Sequence, residues 1–385
     1  MSVSIETKAL AEKAERLAGQ KTLLDWIGSF GSEDIGVDIG TSNVVIYVKH
    51  KGVVFPEASV IARHAVTKEF FAYGTKAEEM EGKAPRDIEI VHPMKRSAII
   101  DYNGAAYLLN SIVNQSYLKG MFFHPRLMMC VSRGMGSVQR RALLEAAVAM
   151  GARKTVLIDQ PIAAMMGLGL TGDNCQGAMI VDIGGGSTKV SVLSKHGIVV
   201  SHFSPESGLE MDQAIMAAIR DKYHIRIGRK EAESLKISLG AYWDLDQAPR
   251  VAETYGLSIV SGSPVKIAVT AEDVAHAINP ILYRIFKNIQ DMLQRTPPAL
   301  LAAIREQGIM LVGGVSQLKG IDELITRITG IAAKVAERPS YVNAFGAGAS
   351  LNYINAFRDS LQDLHSESRR ARFPSPHTWG YTIHV

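Results

Sequence analysis

Val181-Asp182-Ile183-Gly184-Gly185-Gly186-Ser187-Thr188-Lys189-Val190-Ser191-Val192 decides how this chain is read. An apolar run, Ala178 to Val181, delivers an aspartate to a glycine-rich turn, and alternating small and apolar residues leave it as a second strand. The pattern is a β-hairpin with an acid at its entrance. Three consecutive glycines weaken a strand, so their use lies in close backbone approach to something bulky and anionic, such as a phosphate chain held by backbone N–H groups. An aspartate beside phosphates makes sense through a bridging Mg2+. The alternative is a plain tight turn with a solvated aspartate, because short glycine motifs recur by chance.

A second copy strengthens the first. Gly36-Val37-Asp38-Ile39-Gly40-Thr41-Ser42-Asn43-Val44-Val45-Ile46-Tyr47-Val48 repeats the order apolar, Asp, Ile, Gly, small, Ser or Thr, strand. Two phosphate hairpins imply two similar half-domains facing one cleft. Neither a Walker loop nor a Rossmann turn fits, because no Gly-Lys-Ser/Thr follows and these glycines lead into a strand instead of a helix.

A chain of 385 residues that is 47% hydrophobic and 21% charged is an ordinary globular protein with room for two domains. Cys130 and Cys175 have no metal-ligand spacing and lie in or beside apolar segments, which suits buried thiols in a reducing compartment. No window approaches the roughly 18 uncharged apolar residues of a membrane span, and the start has no signal-peptide pattern. A cytosolic or peripheral protein is expected. A net charge of +4, without a stripe of interleaved basic and aromatic residues, argues against a nucleic-acid partner.

Taken in order, residues 4–20 read as a charged helix, and Lys21 to Phe30 differ in kind. On a helix Leu23, Trp26, Ile27 and Phe30 share one face, the pattern either of an interfacial membrane helix or of one docked on the protein's own core. Ile35 to Val60 continue as a β-meander, and 65–100 read as an irregular insert. After a helix over 103–119 comes a loop with Met121, Phe122 and Phe123 at its tip, either tucked inward or meant for a membrane or partner. A strand from Thr155 ends at Asp159-Gln160-Pro161, before a small, apolar helix. There Gln160 is placed to hold a water against a phosphate, or merely to cap the helix. Further on, Glu233 and Lys236 share a helix face, able to grip a ribose diol or each other. Gly308 to Ser316 repeats the strand-to-glycine theme, and Gly313-Gly314 would let a flat ring lie on the backbone.

Asp-Ile-Gly-Thr-Ser, Asp-Gln-Pro, Asp-Ile-Gly-Gly-Gly-Ser-Thr, Ala-Glu-x-x-Lys and Leu-Val-Gly-Gly, in that order, resemble the actin-like ATPase superfamily, and within it the MreB family of bacterial actins. The similarity runs from about Ile35 to Ala356 and includes Pro93-Met94-Lys95, Gln139-Arg140-Arg141-Ala142 and Tyr223-x-x-x-Ile227-Gly228. The resemblance implies an α/β actin-like ATPase fold: two similar lobes around a nucleotide cleft, each a mixed β-sheet flanked by helices, with a smaller inserted subdomain. Residues 1–34 would be an extension with an amphipathic membrane helix, 35–160 the first lobe, 161–357 the second, and 358–385 a tail without fixed structure.

The resemblance also assigns roles. ATP and Mg2+ would fill the cleft, with Gly40, Thr41, Ser42 and Asn43 on one side of the phosphates and Gly184, Gly185, Gly186, Ser187 and Thr188 on the other. Asp38 and Asp182 would hold the metal through water, Gln160 would align the attacking water, Glu233 and Lys236 would contact the ribose, and Gly313 and Gly314 would flank the adenine. It implies ATP hydrolysis, self-assembly into paired protofilaments, and contact with inner-membrane lipid through Leu23, Trp26, Ile27, Phe30 and Met121 to Phe123. Cell-wall elongation membrane proteins would be further partners, and the location would be the cytoplasmic face of the cell membrane. Four motifs depart from the family pattern: Gln160 stands where MreB proteins usually carry Glu, Arg96-Ser97 replaces an acidic-glycine pair, Ser207-Gly208-Leu209 replaces Gly-Gly-Asp, and Val315 replaces a glycine.

Overall fold

The computed structural model describes residues 34–48, 52–116, 125–149, 151–170, 176–240, 251–351, 361–363 and 381–384. The expected membrane residues Leu23, Trp26, Ile27, Phe30, Met121, Phe122 and Phe123 lie outside these, as does Cys175. Among the described residues no helix is long and apolar enough to cross a membrane.

Two sheets organise the chain, and each is built on one of the two hairpins. Asp34–Ile39 pairs antiparallel with Asn43–Val48 and parallel with Arg126–Val131. Ala178–Ile183 repeats the arrangement, antiparallel with Thr188–Ser194 and parallel with Ile309–Val312. Register makes the acids equivalent: Asp38 sits between Val45 and Cys130, and Asp182 between Lys189 and Val312. Even the turns match, with Gly40 N–H donating to Asn43 O and Gly184 N–H to Ser187 O, each at 2.9 Å. The internal repeat in the sequence is thus a repeat in hydrogen bonding. The result is the two-lobed α/β architecture, a seven-stranded and a five-stranded sheet.

Strand alternation distributes each sheet between two layers. In Arg126–Val131, Leu127, Met129 and Val131 face a core shared with the helices Tyr102–Ser116 and Ser137–Ala149, while Met128 and Cys130 turn the other way onto Ala163 and Ala347. The second sheet does the same. Met179, Val181 and Ile183 meet Ile215 of Gly208–Tyr223, Leu235 of Arg229–Leu239 and Ile278 and Ile285 of Ala271–Arg295, and Ile180 points toward Ala164 and Val342. Two small-residue helices, Gln160–Gly167 and Val342–Ser350, therefore occupy the layer between the sheets.

Their contact is backbone on backbone. A Cβ on Gly346 would lie 1.7 Å from Ala163 O, and one on Gly167 2.2 Å from Val342 O, so the helices run antiparallel and at these two glycines leave room for nothing larger than hydrogen. Val342–Ser350 also presses on the first sheet, where a Cβ on Gly36 would sit 2.4 Å from Ala344 O. This helix falls within the 161–357 span but packs as part of the first lobe.

Two regions depart from the sequence reading. The 65–100 insert is ordered: Ile61–His64 pairs with Phe70–Tyr73 and Ile88–Val91, the helix Gly74–Glu79 covers them, and Met94–Lys95 pairs with Ala98–Ile99. Strands of two to four mostly half-buried residues leave no alternation to read. In the tail, Tyr381–His384 pairs parallel with Lys154–Asp159 and antiparallel with Leu361–Asp363, where no fixed structure was expected; an edge strand offers a free row of N–H and C=O groups to any passing segment.

Candidate functional site

Both hairpin acids end up buried, 8% exposed each, at the floor of a cavity of about 410 Å3 between the lobes. Asn343, in the first turn of Val342–Ser350, donates its amide hydrogens to both: Nδ2 lies 3.3 Å from Asp38 Oδ2 and 3.1 Å from Asp182 Oδ2. Gln160, the first residue of its helix, donates from Nε2 to Asp38 Oδ1 at 2.9 Å. Carboxylates only accept, so both amide nitrogens must face them and both amide oxygens must face away. Those oxygens, Gln160 Oε1 and Asn343 Oδ1, are buried without a partner. An unsatisfied buried acceptor costs about 1–3 kcal/mol, which marks the space beside it as meant for a polar occupant.

Electrostatics point the same way. Burial pushes the Asp38 carboxyl above its ordinary value, the Gln160 hydrogen bond pulls it back, and the neighbouring Asp182 pushes it up again. Lys189, facing Asp182 across the hairpin, brings its ammonium to 3.8 Å of Oδ2. The floor is a pair of acids with too little positive charge around them, which suits a cation.

The walls are the two turns. Their tips touch: a Cβ on Gly185 would fall 1.9 Å from Ser42 Oγ, and one on Gly186 2.1 Å from Thr41 Oγ1. Only glycine permits this approach, and the cost of glycine in a strand is thereby explained. Ser59 Oγ donates to Gly40 O at 2.7 Å, fixing the first turn from behind. The second is tied to the following helix, since Gly208 and Leu209 donate their N–H groups to Gly184 O and Gly185 O at 3.1 and 2.9 Å.

At the other end Lys236 is buried and paired with Asp212 at 2.7 Å, and it also donates to Gly208 O at 3.1 Å. Burial raises the Asp212 carboxyl above its ordinary range, and the Lys236 charge lowers it. Lys236 and Glu233 therefore do not grip each other; Glu233 stays exposed at the rim. Gly313 has φ 87° and a Cβ there would lie 2.5 Å from Ile183 O, so only glycine serves. Val315, 8% exposed, packs its methyl against Gly208 and forms the wall where the sequence departs from the family pattern. Over the mouth, Arg229 reaches Glu81 at 2.7 Å and Lys230 reaches Glu78 at 3.4 Å, joining the helix Arg229–Leu239 of the second lobe to the 65–100 insert of the first. The hydrogen bond with His92, then the Arg229 charge, hold Glu81 down at about 2.

Of the described residues that the sequence singles out for nucleotide and metal, all but one border this cavity. Thr188 does not. It is fully buried and its Oγ1 donates to Glu206 O at 2.7 Å, because the strand alternates and turns that side chain away from the cleft. Sequence reasoning misses Asn343, Asp212, Lys189 and Ser97, which also border it. Asp212 stands one helical turn after Gly208, a legible spacing; Asn343 sits in a run of small residues with no motif around it.

A sequence model of the MreB/Mbl protein matches residues 32–359. The cell shape-determining protein MreB of Escherichia coli K12 is 35% identical over 329 residues, covering 84% of this chain and 94% of that protein. Cell shape-determining protein Mbl of Bacillus subtilis 168 is 34% identical over 324 residues, 84% and 97% of the two chains. The crystal structure of MreB5 of Spiroplasma citri bound to ADP superposes with a TM-score of 0.78 at 30% identity, over 85% of this chain and 98% of that one. The MamK double helical filament, at a TM-score of 0.69 and 20% identity over 82% and 97%, shares the fold. With a family match across most of its length and the repeated acid hairpins facing one cleft, this chain belongs to the MreB/Mbl family and has its two-lobed, actin-like fold.

Proposed function

We propose that this chain binds ATP with Mg2+ in the inter-lobe cavity, hydrolyses it, and assembles into membrane-associated filaments that guide cell-wall synthesis and rod shape. One observation carries the reading: two buried carboxylates and Gln160, whose Oε1 has no partner, line one cavity whose walls are glycine-rich turns. Solved relatives at 30% and 29% identity are described as bound to ADP and to AMPPNP, and the curated relatives are named for determining cell shape.

The donor set fits a hydrated magnesium. That ion keeps several waters and takes one or two carboxylates, whereas among the described residues no cluster of three acids, histidines or cysteines would hold a bare metal. Asp38 and Asp182 would hold it through water, and its charge would offset that of the phosphates. Backbone N–H groups and hydroxyls of the two turns would cradle the phosphate chain. Gln160, held by Asp38, would offer Oε1 to the attacking water; no covalent nucleophile is needed, since such chemistry is positioning and charge neutralisation. Lys236 and Glu233 would meet the ribose, and the Gly313–Gly314 backbone the purine ring. Trp26, Ile27 and Phe30, with Met121 to Phe123, would enter the lipid surface.

The test is pelleting of the full chain with vesicles containing anionic lipid, with and without Mg2+ and ATP, and negative-stain imaging of the pellet. Paired filaments on lipid that require nucleotide are expected, and replacing Trp26 and Phe30 by Ser should leave the filaments in solution. A chain that binds nucleotide but stays monomeric would instead act as a nucleotide-gated adaptor.

A further inference from the structure

Arg96 and Ser97 make the two-residue turn between Met94–Lys95 and Ala98–Ile99. Both have positive φ, 49° and 60°, the geometry of a type I′ turn whose usual occupants are asparagine and glycine. Side chains with a Cβ are strained there, and such strain persists where surrounding contacts over-determine the backbone. Those contacts are visible. The Ser97 N–H donates to Thr41 Oγ1 at 3.1 Å, and the Ser97 hydroxyl lies 2.8 Å from that of Ser187. One residue of the inserted subdomain therefore touches the tips of both hairpins.

Two hydroxyls that share one hydrogen bond use one of their two protons, and the second O–H is a donor still to be placed. Ser187 is 1% exposed, whereas Ser97 is half-buried and borders the cavity, so the cavity is the outlet for that donor. Contacts along the wall also give Ser97 a place in an order. Val315 touches Gly208, Gly208 bonds to Gly184, Gly184 closes its turn on Ser187, and Ser187 meets Ser97. A ligand lying along this wall with its ring at the Gly313–Val315 end reaches Ser97 last.

We propose that the Ser97 hydroxyl donates a hydrogen bond to the terminal phosphate of a bound nucleoside triphosphate and so sets how strongly this chain prefers a triphosphate to a diphosphate. The assignment rests on the nucleotide reading of the cleft. A phosphate oxygen accepts only, and a neutral hydroxyl donor to it adds affinity without adding charge. When the phosphate is present Ser187 donates to Ser97 and Ser97 donates outward; without it the mutual hydrogen bond remains and the second O–H faces the cavity with no anion to receive it.

Equilibrium binding of ADP and of the non-hydrolysable analogue AMPPNP, each with Mg2+, to the full chain and to its Ser97→Ala and Ser97→Gly variants tests this. Alanine removes the hydroxyl and keeps the strain of positive φ, while glycine removes both. Both variants are expected to lose about 10-fold in AMPPNP affinity and to change little for ADP, as fits one hydrogen bond to a charged group. Unchanged AMPPNP binding, an equal loss for both nucleotides, or a loss confined to Ser97→Ala would overturn the assignment. In those cases the wild-type chain still binds nucleotide and the reading of the cleft stands. A wild-type chain that takes neither nucleotide overturns both.

Discussion

Asn343 and Asp182 stand 161 residues apart in sequence and 3.1 Å apart in space, the amide nitrogen of one on the carboxylate of the other. Because Asn343 also reaches Asp38, a single side chain from the helix between the sheets serves as common donor to the acids of both lobes.

Replacing Asn343 by Ala should leave two buried carboxylates facing each other without that donor. The Asp38 carboxyl already sits above 3.8 through burial, and the loss of a hydrogen bond pushes it further. A raised carboxyl favours folding while protonated, so its contribution is present below 3.8 and lost as pH rises through the elevated value. Unfolding by urea should show the variant about 2 kcal/mol less stable at neutral pH, with the gap narrowing as the solution is acidified. A gap that does not depend on pH would mean the acids are not coupled through Asn343.

Gln160→Ala removes the oxygen offered to water but leaves the hairpins intact. Turnover, read as phosphate release, should fall about 100-fold while ADP affinity moves less than a few-fold. Equal losses in both would assign Gln160 to binding.

Lys236 and Asp212 form a buried ion pair at 2.7 Å, and removing one member strands the other. Lys236→Ala should cost about 3–5 kcal/mol in chemical denaturation, and Lys236→Met with Asp212→Leu should recover a good part of it. If the double variant is no better than the single, the cost lies in lost packing and not in the stranded charge.

Gly346→Ala puts a methyl group where Ala163 O already is, 1.7 Å away. Neither partner is a flexible side chain, so the helices must part; about 1–3 kcal/mol of stability should be lost by thermal unfolding. Nucleotide affinity should weaken with it, because Gln160 and Asn343 ride on the two displaced helices.

How much of this was legible in the sequence follows from how local each signal is. The acid hairpins are read directly, since Asp38 and Asp182 each sit inside a dozen residues of strand and glycine pattern. Thr188 went astray for the opposite reason: it lies in the motif, but strand parity turns it inward, and parity is fixed by the sheet. Asn343 and Ser97 are invisible locally, as their partners lie 305 and 90 residues away and neither belongs to a repeated pattern. The 65–100 insert is legible as an insert but not its strands, which are too short to show a period.

The antiparallel crossing of Gln160–Gly167 and Val342–Ser350 has one more consequence. A joint whose closest contacts are backbone on backbone has no rotamer to yield at those points, so it cannot be thickened or slid without collision. Gln160 and Asn343 are mounted on its two arms and both reach Asp38. The angle between the lobes and the aim of Gln160 and Asn343 at Asp38 are consequently one variable. Under the proposed function, a neighbouring subunit that clamps the lobes would change the rate of hydrolysis without touching the cleft, and the chain within a filament and the same chain free in solution would be two different catalysts.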